Sequence, residues 1–351
     1  MKVNLFILSI ILIASFSLRE SDKSLFNIPK GWPKPEYNFK INPPSENKIL
    51  LGRALFYDPI LSRDGSISCA SCHSQYSAFT HVDHDLSHGI DDRIGKRNSP
   101  ILVNLAWQKS FMWDGAVNHL DVQALAPIHN ELEMDEDIAN VVKKLNQSKF
   151  YRSLFYDAFS DSIVSGEHTL KAISQFMLTL ISANSKYDRV MNNEEEFSLQ
   201  EAKGYKVFKE SCSSCHTEPL FTNKDFKSNG LSIDSSLMDY GRVEVTSLKK
   251  DSFLFKVPSL RNIEFSYPYM HDGRFKTLNE VLNHYNNSIS STQKFSDELS
   301  DYKTLSSNEK VELIAFLLTL TDKEFLFNPD FSYPKELFTK ANSQQYNLSN
   351  N

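Results

Sequence analysis

The chain of 351 residues is short of three features that would assign it to other classes of protein. It has no excess of positive charge, and its formal net charge of −6 argues against nucleic acid as a partner. Beyond the N-terminus it has no apolar run of transmembrane length, so we expect the rest of the chain to be soluble. It has only four cysteines, and none follows the apolar N-terminal run closely, which argues against a lipid anchor there.

Residues 1–20 have the form of a secretory signal peptide, in which Lys2 precedes an apolar run over residues 5–13 and small residues follow. The run is too short to span a bilayer comfortably. An uncleaved anchor remains the alternative, because no clear cleavage triplet of small residues follows it. We therefore expect a periplasmic protein.

All four cysteines lie in two copies of one motif, Cys69-Ala-Ser-Cys72-His73 and Cys212-Ser-Ser-Cys215-His216. Two thiols three positions apart can form thioethers with the two vinyl groups of one porphyrin, and the adjoining histidine then binds the iron. A zinc or redox Cys-x-x-Cys pair is the alternative, but it leaves the histidine after each pair unexplained. The sequence therefore predicts two covalently bound haem c groups, with the two histidines as proximal ligands.

The rest of the pattern predicts a mostly α-helical protein with irregular loops and little strand. Three helix starts carry a capping box, in which a hydroxyl group and a glutamate three residues later satisfy free backbone donors, at Ser198, Thr277 and Ser306. The last of these opens the apolar run 311–318, which we expect to be a core helix. A further helix is predicted from Glu167 to Met191, because apolar residues recur there at helical spacing.

Two segments, residues 21–48 and 325–351, are rich in proline, asparagine and serine. Such composition is typical of loops and chain ends. We expect both to be surface arms or frayed termini.

Five landmarks recur in the same order in the two halves of the chain. They are Gly52 to Phe56 and Gly204 to Phe208, the two cysteine motifs, Phe79-Thr80 and Phe221-Thr222, Arg97-Asn98 and Arg261-Asn262, and Trp113 to Gly115 and His271 to Gly273. The repeat indicates an internal duplication. We therefore expect two cytochrome-c-like haem domains, residues 21–192 and 193–351, and a hydrophobic content of 40% is enough for two cores.

These motifs together resemble the bacterial dihaem cytochrome c peroxidase family, which also contains the MauG-type enzymes that oxidise a partner protein. The resemblance extends over residues 45–325 and rests on the haem motifs with the runs Gly95 to Pro100, Met112 to Gly115, Gln123-Ala124 with Pro127, Glu133-Met134, Pro258 to Asn262 and Tyr267 to Gly273. It implies hydrogen peroxide as substrate and a small c-type cytochrome or cupredoxin as electron donor, and it suggests a homodimer.

Peroxide cleavage at an iron needs an open coordination position and a group that moves a proton between the two oxygens. By resemblance, Glu133 is the catalytic glutamate at the first haem and Gln123 a glutamine of the same pocket. The alternative for Glu133 is a solvated charge in the acidic cluster 131–137. Trp113 resembles the tryptophan that carries electrons between the haems, and ordinary aromatic packing is its alternative.

The resemblance also implies a calcium ion at the domain interface. Asn98 and the backbone carbonyl groups of Ser266 and Pro268 match its ligands in the family. Side-chain and backbone oxygens are the ligands that calcium prefers.

At the second haem the sequence departs from the peroxidase pattern. Tyr285 stands fourteen residues after His271, where the standard peroxidases have a methionine as sixth ligand and the MauG type has tyrosine. A thioether ligand raises the potential of a haem, whereas a phenolate lowers it and favours oxidised iron. Packing of Tyr285 on its own helix is one alternative, and ligation by His284 is another.

At the first haem, His88 stands fifteen residues after His73, close to the removable distal ligand of the standard peroxidases. His81 and His84 in the same loop are rival ligands, and a surface histidine is the alternative. If His88 binds the iron, the resting enzyme is closed and needs a trigger.

The sequence thus predicts a periplasmic dihaem peroxidase. A MauG-like oxidase that modifies a protein or small molecule is the first alternative; Tyr285 favours it, although Glu210 and Ser211 stand where the MauG type has a tryptophan for long-range transfer. A pure electron-transfer protein is the second, and it would leave Glu133, Gln123 and Trp113 without a shared purpose.

Overall fold

The computed structural model describes residues 25–161, 163–288 and 303–339, so the signal peptide expected over residues 1–20 lies outside the described residues. The described chain consists of helices joined by long irregular segments, which confirms the mostly α-helical prediction. The α-helices are α1 (Glu46–Tyr57), α2 (Cys69–Cys72), α3 (Leu125–His129), α4 (Ile138–Gln147), α5 (Lys149–Phe159), α6 (Gly166–Thr179), α7 (Lys186–Met191), α8 (Leu199–Ser211), α9 (Val243–Thr246), α10 (Leu278–Ser288), α11 (Ser307–Leu318) and α12 (Lys323–Leu326). The strands β1 (Phe226–Lys227) and β2 (Phe255–Lys256) pair antiparallel. None of the described helices is long and apolar enough to cross a membrane.

The first hydrophobic core forms where α1 crosses α6, with α4 and α5 packed beside them. α1 buries Leu51, Ala54 and Leu55 against this core. At the crossing, a Cβ on Gly52 would collide with the backbone carbonyl group of Ala172. Glycine is required there because the two helix backbones approach each other too closely for any side chain.

The second core repeats this arrangement, with α8 crossing α11. Gly204 lies against the carbonyl group of Glu312 just as its counterpart does in the first core. The three helices α8, α10 and α11 begin at the predicted capping boxes. In each, the hydroxyl oxygen of Ser198, Thr277 or Ser306 accepts the backbone N–H of the glutamate three residues later, at 3.2–3.3 Å.

α11 is a core helix, as expected, but only part of its apolar run is buried. Leu313 and Phe316 are buried, whereas Val311 and Leu318 are 55% and 41% exposed. The apolar residues of the run are not confined to one face of the helix, so those on the face away from α8 stay exposed.

The internal repeat is visible in the backbone. The turns 111–117 and 269–275 are each closed by a 2.7 Å hydrogen bond from the N–H of the first residue to the carbonyl oxygen of the last. In both turns the methionine and the glycine have positive φ. Trp113 and His271 occupy equivalent positions in the two turns, so the two halves share this local structure.

One landmark of the repeat was paired incorrectly. The counterpart of Asn262 is Asn104 and not Asn98, because Asn104 and Asn262 both have left-handed φ (55° and 58°) and both precede a 3₁₀ turn. Each also lies nine residues before the equivalent position of its turn. Each side-chain oxygen accepts a backbone N–H from a segment that follows a core helix, from Ser182 at 2.9 Å and from Asp322 at 2.8 Å.

The helix expected from Glu167 to Met191 is two helices, α6 and α7, so its predicted length was wrong. Residues 180–185 between them are irregular. The N–H of Ser182 donates to the Asn104 side chain at 2.9 Å, and the hydroxyl of Ser185 accepts the N–H three residues later at 3.4 Å, which starts α7. Both bonds use backbone groups that a continuous helix would need.

The segment 21–48 was expected to be a surface arm, and its described part does lie largely at the surface, but its aromatic side chains pack on the first core. Trp32 lies edge-on to the buried Trp107, with ring centroids 4.9 Å apart, and Asn42 is buried. The aromatic side chains of this segment cover the first core, and such burial outweighs the loop-like composition.

The segment 325–351 was also expected to be an arm of the second domain, residues 193–351. Its described part packs instead on the first core, in which Phe325 and Phe331 are buried. The guanidinium of Arg53 on α1 donates to the carbonyl oxygen of Ser332 at 2.7 Å, which holds this C-terminal segment against the first core. The end of the described chain therefore belongs to the first core.

Candidate functional site

The first cysteine motif forms a single turn of helix, α2, which ends at His73. The Nδ1 atom of His73 lies 2.7 Å from the carbonyl oxygen of Phe79 and donates to it, which leaves Nε2 free to bind a metal. Burial lowers the pKa of His73 to about 4, so the ring is neutral at physiological pH. A neutral imidazole of fixed tautomer is what a proximal haem ligand requires.

The second motif has the same arrangement at the end of α8, where Cys212 caps the helix. The Nδ1 atom of His216 lies 3.1 Å from the carbonyl oxygens of both Phe221 and Pro258, so Nε2 is again free. Burial lowers the pKa of His216 as well. Both copies thus present two thiols beside a neutral imidazole, which fits a covalently attached haem.

A cavity of about 250 Å³ lies against the second motif and is lined by Cys212 and Cys215 together with Tyr285 of α10. Burial, with a smaller contribution from the two thiols, raises the pKa of Tyr285 above its usual range. His284 is not part of the cavity wall, and its Nε2 lies 3.0 Å from the carbonyl oxygen of Asn229. The structure therefore places Tyr285, rather than His284, at the second haem cavity.

Glu133 lies in the turn that follows α3 and is partly buried. Burial raises its pKa, although the side chain of Asn130 donates to its carboxylate at 2.8 Å and acts in the opposite direction. Burial and the charge of Glu133 both raise the pKa of Cys72, to about 11. Glu133 lies close to the first haem motif, because its backbone packs against Gly89 and the carbonyl oxygen of the preceding His88 lies 3.4 Å from the sulfur of Cys72.

The neighbouring acidic residues have structural partners. Asp135 forms ion pairs with two arginines, Glu136 forms one with Lys144 at 2.7 Å, and Asp137 caps the start of α4. No ion pair of Glu133 is found among the described residues. Glu133 is therefore distinct from the solvated and paired carboxylates that surround it in sequence.

The loop after the first motif brings three histidines together. The rings of His84 and His88 stack with centroids 4.0 Å apart, and His81 meets His84 edge-on at 4.9 Å. The carbonyl oxygen of His88 lies 3.4 Å from the sulfur of Cys72, and the residue after His88 packs against the backbone of Glu133. The structure thus places His88 beside both the first motif and Glu133.

Gln123 lies directly before α3, so Gln123 and Glu133 flank one short helix. The side-chain Nε2 of Gln123 lies 3.7 Å from the sulfur of Met112. Gln123 is therefore tied to the turn that carries Trp113.

Trp113 lines the cavity of the second motif although it belongs to the first half of the chain. Its indole N–H donates to the carbonyl oxygen of Asn98 at 2.8 Å. The backbone N–H of Asn98 in turn donates to the carbonyl oxygen of His271 at 2.7 Å, and the N–H of Lys256 donates to the carbonyl oxygen of Trp113 at 2.7 Å. Trp113 is thus held between the two halves of the chain.

The three residues expected to bind calcium, Asn98, Ser266 and Pro268, line the same cavity. The amide nitrogen of Asn98 donates to the carbonyl oxygen of Asp85 at 3.0 Å, which leaves its Oδ1 as the group able to bind a cation. Among the described residues no group of three or more histidine, cysteine or acidic side chains could hold a metal ion. A calcium ion here would therefore bind amide and carbonyl oxygens, which calcium accepts.

Two charged residues at this interface were not identified from the sequence as site residues. Lys256 lines the cavity and donates to the carbonyl oxygen of Ser110 at 2.9 Å, and burial lowers its pKa to about 8. Arg97 forms an ion pair with Asp114 of its own half and joins the two halves through a second ion pair, with Asp239 at 2.6 Å. A lysine between apolar neighbours is more typical of an outward strand position, so the sequence signal for its burial is weak.

Comparison with known proteins places these features in context. Residues 46–196 match the family model described as di-haem cytochrome c peroxidase. The methylamine utilization protein MauG of Methylorubrum extorquens is 34% identical over 308 residues, which cover 85% of this chain and 84% of the relative. The cytochrome c551 peroxidase of Nitrosomonas europaea is 31% identical over 299 residues, 84% of each chain. A solved structure of a MauG-like protein associated with microbial copper homeostasis is 31% identical, with a TM-score of 0.76 over 88% of this chain and 99% of that one.

Proposed function

The chain belongs to the bacterial dihaem cytochrome c peroxidase family, which includes the MauG proteins, and from this we propose that it reduces hydrogen peroxide to water. It is a peroxide-acting oxidoreductase with two haem c groups. Each peroxide consumes two electrons and two protons and yields two waters. The donor is a small c-type cytochrome or cupredoxin, and the name of the Nitrosomonas europaea relative supports the cytochrome.

The observation that carries the proposal is the position of Glu133, a carboxyl group of raised pKa beside the first haem motif. The haem iron, when bound to His73, supplies the coordination position for peroxide. Glu133 accepts the proton of the near oxygen and returns it to the far oxygen, which leaves as water. A carboxyl group serves both steps well when its pKa lies closer to neutrality than usual.

Trp113 carries electrons from the second haem site to the first. Its indole hydrogen bond to the carbonyl group of Asn98 leads into the segment 98–100. The carbonyl group of Pro100, at the end of that segment, contacts the imidazole of His73. This gives a path from Trp113 to His73 through the backbone of residues 98–100.

The remaining ligands are part of the same proposal. His216 and Tyr285 would hold the second haem iron, supported by the cavity that both residues line. His88 would close the resting site at the first haem. Asn98 with the carbonyl groups of Ser266 and Pro268 binds calcium at the interface. The protein acts in the periplasm, and a homodimer is the assembly that the resemblance suggests.

The test is steady-state oxidation of a reduced small c-type cytochrome by hydrogen peroxide. Turnover that falls in Glu133→Gln and is kept in Glu131→Gln, an exposed carboxylate of the same cluster, would support the proposal. Unchanged turnover in Glu133→Gln would remove the catalytic role of that residue. Turnover by the fully ferric protein would show that the first haem is open at rest, and turnover only after partial reduction would show that His88 closes it.

A second candidate function is favoured by Tyr285. A phenolate ligand lowers the potential of a haem and so favours storage of oxidising equivalents over storage of an electron. The Methylorubrum extorquens relative is a MauG protein, which supports an oxidase that uses peroxide to modify a protein or small molecule. The exposed Glu210 and the neighbouring Ser211 stand where the MauG type has a tryptophan, which argues against long-range transfer by that route. A protein whose haem spectra respond to peroxide, yet which oxidises no cytochrome or cupredoxin in either redox state, would favour this alternative.

A further inference from the structure

The side-chain amides of Gln123 and Asn229 contact equivalent methionines in the two halves of the chain. The Nε2 of Gln123 lies 3.7 Å from the sulfur of Met112, and the Nδ2 of Asn229 lies 3.2 Å from the sulfur of Met270. Both methionines have positive φ, 68° and 75°, in the two equivalent turns. Asn229 therefore takes, at the second haem cavity, the structural place that Gln123 takes near the first.

Asn229 also contacts Tyr285. Both residues line the second haem cavity, with the side-chain amide of Asn229 next to the phenol of Tyr285. The backbone carbonyl group of Asn229 accepts from His284 on α10 at 3.0 Å, which holds Asn229 against the helix that carries Tyr285. A side-chain amide has two N–H donors, so one group can serve the thioether sulfur and the phenol oxygen together.

The phenol of Tyr285 and the thioether of Met270, each of which can bind iron, thus line the same cavity. The two ligands have opposite consequences, because a thioether raises the potential of a haem and a phenolate lowers it. The hydrogen bond to the sulfur fixes the thioether in its turn and has to break if the sulfur is to move to the iron. A hydrogen bond to the phenol oxygen orients it in the cavity and leaves a lone pair available for the iron.

We propose that Asn229 is a positioning residue that selects Tyr285 over Met270 as the sixth ligand of the second haem. One amide hydrogen holds the Met270 sulfur and the other orients the Tyr285 oxygen. This inference rests on the proposed ligation by Tyr285. It adds a residue, outside both haem motifs, that determines which ligand the iron receives.

The test uses the holoprotein with both haems attached. The ferric second haem is examined by electron paramagnetic resonance and by the near-infrared band of histidine–methionine ligation, and its midpoint potential is measured by spectroelectrochemistry. The variants are Asn229→Ala, Met270→Leu, the two combined, and Tyr285→Phe. Asn223→Ala is the matched control, because Asn223 lies in the same segment and hydrogen-bonds to the second motif at Ser214, at 3.3 Å, without lining the cavity.

We expect Asn229→Ala to gain the methionine band and a more positive potential. The combined variant should lose that band, and Asn223→Ala and Met270→Leu should match the wild-type protein. Haem content shows that each variant has assembled, and Asn229→Gln, which keeps both donors, should restore part of the wild-type spectrum if the alanine variant assembles poorly.

Three other results would contradict the inference or the ligation on which it rests. A wild-type spectrum and potential in Asn229→Ala, with a changed spectrum in Tyr285→Phe, would overturn the inference and leave the proposed ligation by Tyr285 intact. If the combined variant showed the same change in spectrum and potential as Asn229→Ala alone, Met270 would not be the new ligand. That result would overturn the selection against Met270. An unchanged spectrum in Tyr285→Phe would remove the ligation by Tyr285 itself, and the inference with it.

Discussion

Trp113 donates its indole N–H to the backbone carbonyl oxygen of Asn98 at 2.8 Å, in the wall of the second haem cavity. Trp107 makes a bond of the same kind and length to the carbonyl oxygen of Pro33, but in the first core and away from this cavity. A comparison of substitutions at these two tryptophans therefore distinguishes the loss of an indole hydrogen bond from an effect on electron transfer.

We predict that Trp113→Phe lowers cytochrome oxidation by peroxide, whereas Trp107→Phe leaves it close to the wild-type rate. Each variant loses one hydrogen bond, which contributes about 1 kcal/mol of unfolding free energy. Trp107→Phe loses more stability than this, because Trp107 is fully buried and the smaller ring leaves a cavity. Steady-state kinetics and urea unfolding of the same preparations measure both effects. Equal loss of turnover in the two variants would show that the effect of Trp113 is structural.

Arg97 pairs with the buried Asp239 across the two halves of the chain, at 2.6 Å. Arg97→Met leaves that carboxylate buried without its partner, and removal of one member of a buried pair costs about 3–5 kcal/mol. Arg93→Met is the control, because its ion pairs are exposed and such pairs contribute about 0–1 kcal/mol. Urea unfolding at neutral pH measures both, and equal losses would contradict the prediction.

The stability that the ion pair of Arg97 and Asp239 contributes depends on pH. Burial alone would raise the pKa of Asp239, but the hydrogen bonds and charge of Arg97 hold it below its usual value. The pair therefore stabilises the folded protein above the unfolded aspartate pKa, which is about 3.9, and this contribution is lost as the pH falls through the lower folded pKa. The stability difference between wild type and Arg97→Met should be largest at neutral pH and shrink in acid.

The features predicted correctly depend on residues that are near each other in the chain. The capping boxes at Ser198 and Ser306 and the haem motifs each lie within five residues, so local chemistry determines them. The break between α6 and α7 depends on Asn104, which lies 78 residues before Ser182. No local pattern carries such a contact, and for the same reason the sequence did not indicate the role proposed for Asn229.

We predict that Gly204→Ala destabilises the second core. The added methyl group would collide with the carbonyl group of Glu312 where α8 crosses α11, and overpacking of this kind costs about 1–3 kcal/mol. Lys203→Ala, at an exposed position of the same helix, should cost much less. Urea unfolding of the two holoproteins makes the comparison. If Gly204→Ala were as stable as wild type, the crossing would have to be looser than this structure shows.

The last prediction concerns the pH dependence of the peroxide reaction. If Glu133 accepts the first proton, the reaction requires its carboxylate form, so the rate should rise with pH as Glu133 ionises. Burial raises the pKa of Glu133, so the midpoint of this rise should lie above the usual glutamate value of about 4.3. Glu133→Gln should lower the rate about 10²–10⁴-fold and abolish the rise. Stopped-flow mixing of the protein with peroxide across the pH range measures both, with Glu131→Gln as control. A pH profile of the same shape in Glu133→Gln would assign the ionisation to another group, because glutamine cannot titrate.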